Sequence, residues 1–283
     1  MRKFLIGLIG LIVLVMTPTA SVAWNVRGHR AVAEIARHYL SERASTQVQE
    51  LLGEGVNSLV EAAMWADTII DDQPETFFWH SVEIPHNGQR YDAERDCFND
   101  DCVVERINRF APILANRARS NLERSDALKF LIHFVADVHV PFHAYAPGTT
   151  DDIWAIWEGW EGPWLQIGDK IFELHNWWDS GFVVELGPNA SDIAKKLVAS
   201  ISEKQRAAWT SSTPEEWANE SFMIARNFVI KHDLINVERI RGNSKTMPIM
   251  LPPSTLDEAK SIVAQRLQMA GVRLAWLLNQ AFK

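Results

Sequence analysis

The chain has 283 residues, 47% hydrophobic and 23% charged, enough to bury the core of one large domain or two small ones. Its formal net charge is −8 at pH 7, which argues against a protein that grips nucleic acid by bulk electrostatics. Two cysteines are too few for a four-thiolate zinc site.

Arg2 and Lys3, the apolar run Phe4 to Met16 and the small-residue stretch Ser21-Val-Ala23 read as an export signal with its cleavage site. The apolar run is short for a membrane span, and no basic stop follows it; a retained N-terminal anchor is the alternative. Cleavage after Ala23 predicts a mature chain 24–283, secreted or periplasmic, without stable membrane association. That chain carries 26 Lys and Arg against 36 Asp and Glu, a net of −10. A polyanion would have to be drawn by a local positive centre.

Arg27 to Leu40 has helical spacing, with Val32, Ile35, Ala36 and Tyr39 on one face. Ser58-Leu-Val-Glu61 reads as a capping box for a helix over Ala62 to Ile70. Residues 71–102 read as a long loop with a short extended piece at Phe77–Ile84. Cys97 and Cys102 lie in it, and in an exported chain the expected state is a short-loop disulfide. Val103 to Arg119 is predicted helical. Ser125 is expected to cap the next helix, which Pro141 bends or ends. Residues 144–174 read as irregular, with room for one short β-hairpin and four tryptophans, Trp154, Trp157, Trp160 and Trp164. Further helices are predicted over Leu174 to Ser180, Ser191 to Ser202, Thr213 to about Val229, and Ser254 to Phe282. The fold class is mostly α, a single-domain helical bundle.

The chemistry lies in the histidines and carboxylates. His133 and Asp137 are four apart, so both project from one helix face, roughly 6 Å apart. A His and an Asp in an apolar run are costly to bury without a partner. A metal ion and a plain buried His–Asp hydrogen bond both answer that need. His175 and Asp179 repeat the spacing, and His143 follows Pro141. Asp67 and His80 also sit in apolar company. After cleavage, Trp24 would offer an amine and its own carbonyl, with His29 close behind. Nitrogen and carboxylate ligands without thiolates suit zinc.

These motifs together resemble the zinc-dependent single-strand nucleases of the S-one/P-one type, in their bacterial branch. Trp24 with His29, Trp65-Ala-Asp67, Trp79-His80, the run His133 to His143, and Leu174-His-Asn-Trp-Trp-Asp179 match that family's pattern in order. The resemblance covers Trp24 to the end. It implies a helical bundle of the phospholipase C and zinc nuclease type and three zinc ions. Asp67, His80, His133 and Asp137 would hold the first ion. His143, His175 and Asp179 would hold the second. The Trp24 main chain, His29 and the other oxygen of Asp137 would hold the third. The implied reaction is hydrolysis of single-stranded DNA and RNA to 5′-phosphates by a monomer, with Asp67 orienting the attacking group. The same chemistry accommodates 3′-nucleotidase activity.

Family members place an aromatic residue after the His80 position and Asp or Asn two further on. Here Ser81 and Glu83 stand there as the candidate substrate contacts. Ile70 replaces a charged residue, and the Trp-rich insert is offered as a stacking platform, a hydrophobic lid or a partner surface. His139 is read as orienting a ligand. Phospholipase C activity and non-catalytic zinc binding are the competing functions.

Overall fold

The computed structural model describes residues 24–53, 55, 58–148, 162–235 and 243–283. It is mostly helical. Helices α1 (Val26–Tyr39), α2 (Glu42–Leu52), α3 (Ser58–Ala62) and α4 (Trp65–Thr68) open the fold. A 3₁₀ turn (Pro74–His80) and the short α5 (Ala93–Asp96) lead to α6 (Val103–Ala115) and α7 (Asn121–Asp137). Next come a 3₁₀ turn (Pro141–Ala144), the hairpin β1 (Trp164–Ile167) and β2 (Lys170–Glu173), and α8 (Leu174–Asn176). A π turn (Trp177–Gly181) and α9 (Phe182–Val184) precede α10 (Ala190–Val198), α11 (Glu203–Trp209) and α12 (Pro214–Lys231). Strand β3 (Ile249–Leu251) and the long α13 (Ser254–Ala281) close the chain.

Helix α7 is the axis. From Ala127 to Asp137 all but one of its residues are buried, so its surroundings are protein on every side. It packs against α1, α2, α3, α4, α6 and α13. One continuous cluster of buried side chains runs from Trp24 to Phe282. The predicted hairpin forms, turning at Gly168, whose φ of 63° glycine adopts without strain. Strand β3 adds to β1 in parallel, an unanticipated third strand.

Several boundaries differ from the sequence reading. Helix α7 is capped by Ser120, not Ser125. The Ser120 hydroxyl accepts from the Glu123 amide, and the Glu123 carboxylate accepts from the Ser120 amide in return. Helix α6 ends at Ala115 rather than Arg119, and Ser254 lies inside α13 without a side-chain cap. The stretch before His80 is a 3₁₀ turn, not an extended piece, because Pro74 starts it and the Thr76 amide and hydroxyl both donate to the Gln73 carbonyl. Helices α2 and α11 were not foreseen. Trp164 heads β1, whereas Trp154, Trp157 and Trp160 lie outside the described residues.

Candidate metal centre

Five pieces of chain converge on the C-terminal end of α7. The helix brings His133 and Asp137, both fully buried. The turn at Pro141 brings His143, and the 3₁₀ turn ending at His80 comes alongside. Their backbones are laced together: the Val82 amide donates to the His143 carbonyl at 2.8 Å, and the Ala146 amide to Ile84 at 2.9 Å. Asp67 arrives on α4, and His175 with Asp179 arrive on α8 and the π turn. The Asn25 side chain caps α1 by accepting from the Arg27 and Gly28 amides, which fixes His29 one turn in.

Within this convergence the ligand atoms form three groups, each with its atoms inside 4.8 Å of one another: Asp67, His80 and His133; His29, His133 and Asp137; His143, His175 and Asp179. Asp137 stands at the junction. Its Oδ2 lies 3.0 Å from His80 Nδ1 and 3.3 Å from His133 Nε2, while its Oδ1 lies 3.3 Å from His29 Nε2. His133 Nε2 is 3.3 Å from Asp67 Oδ1. Asp179 faces His175 Nε2 at 3.5 Å and His143 Nε2 at 3.8 Å. The His29 and His133 rings stack at 4.0 Å.

Two histidines are held in one tautomer by carbonyls behind them. His133 Nδ1 donates to the Ala63 carbonyl at 2.7 Å, and His143 Nδ1 donates to the His80 carbonyl at 2.8 Å. Each then presents Nε2 to its group, the usual way an outer partner aims a metal-binding ring. Trp24 is anchored by the same principle. Its indole Nε1 donates to the Ala136 carbonyl at 3.0 Å, and the next amide, Asn25, donates to Asp179 at 2.8 Å. The Trp24 main chain is therefore pinned between the Asp137 and Asp179 segments.

The electrostatics are those of a cage short of positive charge. Burial pushes His29 down to about 3, helped by the neighbouring His133. Burial also lowers His143. At His133 burial is outweighed by Asp137 and Asp67, which raise it well above the usual imidazole range. The same pairing outweighs burial at Asp67 and Asp137 and holds both carboxyls low. A proton on His133 thus does part of the work a cation could do. Even so, both ring nitrogens of His29, Asp67 Oδ2, His80 Nε2, Asp137 Oδ1 and His143 Nε2 are buried without a hydrogen-bond partner. Unsatisfied buried polar atoms on this scale call for an ion.

The donors fit zinc. Tetrahedral ligands at about 2.0–2.1 Å stand about 3.3 Å from one another. The ligand atoms of the first two groups stand 3.0–3.7 Å apart along their measured contacts. The set is imidazole and carboxylate with no thiol, since both cysteines form the Cys97–Cys102 disulfide.

Around the cage, some assignments change. His139 contacts none of the clustered side chains. Its Nδ1 donates to Val135 and its Nε2 accepts from Arg273 Nη1 at 2.8 Å, in a buried network where Arg266 and Arg273 share the Glu220 carboxylate. This network ties α12 and α13 to the segment after Asp137 and orients no ligand directly. Ser81 Oγ donates to Glu83 at 3.0 Å beside His80. Burial, with Asp96 nearby, pushes the Glu83 carboxyl up to about 7, opposed by the Ser81 bond. The Ala63 and His80 carbonyls were invisible to sequence reasoning, because a backbone acceptor carries no residue signature.

The chain also matches known nucleases. The family model described as S1/P1 Nuclease matches residues 24–283. Nuclease P1 of Penicillium citrinum is 26% identical over 282 aligned residues, covering 91% of this chain and 97% of the relative. Nuclease PA3 of a Penicillium species is also 26% identical, with the same coverage. Endonuclease 3 of Arabidopsis thaliana is 24% identical, covering 97% of this chain and 94% of its own length. A match from residue 24 to residue 283, which takes in every segment that builds the cage, makes this protein a member of the S1/P1 nuclease family, a nuclease of helical fold.

Proposed function

We propose that the protein is an exported trinuclear-zinc phosphodiesterase that cuts single-stranded DNA and RNA to 5′-phosphate products. Asp67, His80, His133 and Asp137 hold one zinc. His143, His175 and Asp179 hold the second. The main chain of Trp24, after cleavage behind Ala23, joins His29 and Asp137 on the third. The observation that carries this reading is Asp137: one carboxylate at the junction of two ligand groups, with a different oxygen toward each. The exported, monomeric state is part of the same proposal; among the described residues no helix is long and apolar enough to cross a membrane.

Zinc supplies Lewis acidity that activates water near neutral pH and offsets the charge of a bound phosphodiester. The chain supplies the placement. Asp67 is the most exposed of the three carboxylates, 14% against 0% and 1% for Asp137 and Asp179. Its Oδ2 has no hydrogen-bond partner in the protein and accepts from the attacking water, orienting it toward phosphorus. The water releases a proton to solvent as its oxygen bonds to phosphorus, the P–O3′ bond breaks, and the leaving 3′ oxygen takes a proton from solvent. Ser81 and Glu83, joined by a hydrogen bond beside His80, would meet a base edge.

The test is to incubate zinc-loaded mature protein with single-stranded DNA, RNA, duplex DNA and phosphatidylcholine. Cleavage of the two single strands to 5′-phosphate ends is the expected result. Release of phosphocholine with no cut nucleic acid would overturn the proposal.

A further inference from the structure

His80 is aimed differently from His133 and His143. Each of those rings has a main-chain carbonyl behind Nδ1. Among the described residues no main-chain carbonyl is hydrogen-bonded to the His80 ring: its Nδ1 faces Asp137 and His133, and its Nε2 has no hydrogen-bond partner. The placing of this ring therefore falls to the chain on either side of it, and both neighbours are tied to the start of α6. The Ser81 carbonyl accepts from the Val103 amide at 2.9 Å. The Trp79 indole packs on Phe130 at 5.4 Å and on Phe110 of α6 at 6.2 Å. Its Nε1 donates to Asp101 Oδ1 at 2.8 Å, and Arg106, in the first turns of α6, donates from Nη2 to the same oxygen. The Arg106 guanidinium also lies over the Trp79 ring, 4.0 Å from its centroid. Arg106, Asp101 and Trp79 thus close a triangle, and Cys102, next to Asp101, is held by the disulfide.

The buried charge makes the triangle firm. Arg106 is 7% exposed, and its Nε is buried without a hydrogen-bond partner. Taking a guanidinium out of water is costly unless its partners are in place. Its partners are the Asp101 carboxylate and the indole face, and both are present together only when the turn ending at His80 lies against α6. A turn that drifts leaves a buried, half-paired cation, so the fold resists the drift. We propose that Arg106, acting through Asp101 and Trp79, is a positioning residue that fixes His80 for the ion it shares with Asp67, His133 and Asp137. Arg106 touches neither metal nor substrate; it works through the ring it places. This inference rests on the proposed zinc site and adds the residues that set its affinity. Outer contacts that orient a ligand change metal affinity by about 10–100-fold.

The experiment measures the zinc affinity of the mature protein by competition with a chelating dye, and the Tm of its metal-free form. It compares wild type, Arg106→Ala, Trp79→Phe, His80→Ala, Arg106→Ala/His80→Ala and Leu278→Ala. Trp79→Phe keeps a ring beneath the guanidinium but cannot donate to Asp101. Leu278 is buried on α13, outside the groups of ligand atoms, so its truncation loosens the core without bearing on the turn. Arg106→Ala is expected to weaken one ion by about 30-fold and to leave any other within about twofold. On a single-stranded oligonucleotide kcat falls while KM stays within about twofold, since no substrate contact is lost. In the His80→Ala background Arg106→Ala causes no further loss of affinity, because the ring it places is gone. Leu278→Ala lowers Tm and keeps wild-type zinc affinity. If Arg106→Ala does not fold, Trp79→Phe, alone and with His80→Ala, carries the test, with a loss of about tenfold expected. Wild-type affinity in these variants, the same loss repeated in the His80→Ala background, or an equal loss in Leu278→Ala would each overturn the inference and leave the zinc reading standing. A wild type that binds no zinc would overturn both.

Discussion

Gly28→Ala puts the amino-terminal arm of the centre under test. A Cβ at Gly28 would stand 2.7 Å from Trp24 Cβ and 3.2 Å from Trp24 Cγ. Carbon atoms rest at about 3.5–4.0 Å, so Trp24 must retreat by about 1 Å. It cannot do so freely, because its indole is fully buried and bonded to Ala136. Helix propensity alone would favour the alanine by about 0.8–1 kcal/mol, and overpacking opposes it by about 1–3 kcal/mol. Zinc–ligand distances tolerate only about 0.2 Å, so a 1 Å shift of the Trp24 main chain removes it as a ligand. The expected outcome is a folded protein with one zinc fewer than wild type and kcat lowered about 100-fold. Zinc is counted by mass spectrometry on gel-filtered protein, and turnover is followed on a single-stranded oligonucleotide. A variant with the full zinc complement and wild-type turnover would refute the placing of Trp24 at the centre.

Acid should destabilise the metal-free protein. His29 has its folded value lowered to about 3, and His139 and His143 are also lowered by burial, so below pH 6.5 the unfolded chain binds their protons first. His133 and Glu83 run the other way, both raised in the fold, but the three lowered rings outnumber them. Stability therefore falls from pH 6.5 toward 3, by about 1.4 kcal/mol per pH unit for each net proton; a Tm that climbs between pH 7 and 5 would contradict this. Glu220→Gln leaves the Arg266 and Arg273 guanidiniums, 2% and 1% exposed, without their shared carboxylate. A loss of about 3 kcal/mol in urea unfolding is expected, and an unchanged midpoint would be the contrary result. Replacing Cys97 and Cys102 by serine opens a loop of sequence separation 5 and should cost about 2 kcal/mol on the same assay.

The cage was legible because its chemistry is written in residue types. His133 and Asp137 lie on one helix face whatever surrounds them, and His175 and Asp179 repeat the spacing, although the chain passes from the short α8 at His175 into a π turn at Asp179. The aiming of the rings was not legible. The helix expected over Ala62 to Ile70 breaks between α3 and α4, and the Ala63 carbonyl at the break accepts from His133 instead of closing a helical turn. That contact spans 70 residues and overrides local propensity. His139 misled for a related reason: its position beside the ligands in sequence is local, whereas its partner Arg273 is set by how α13 crosses α7.

The account turns on how many zinc ions the processed chain retains. Protein trimmed to Trp24, loaded with zinc and freed of excess, should carry three ions, with anomalous scattering peaks beside Asp67, beside His29 and beside His175. A trimmed, folded sample that holds no zinc, or a single ion away from Asp137, would contradict it.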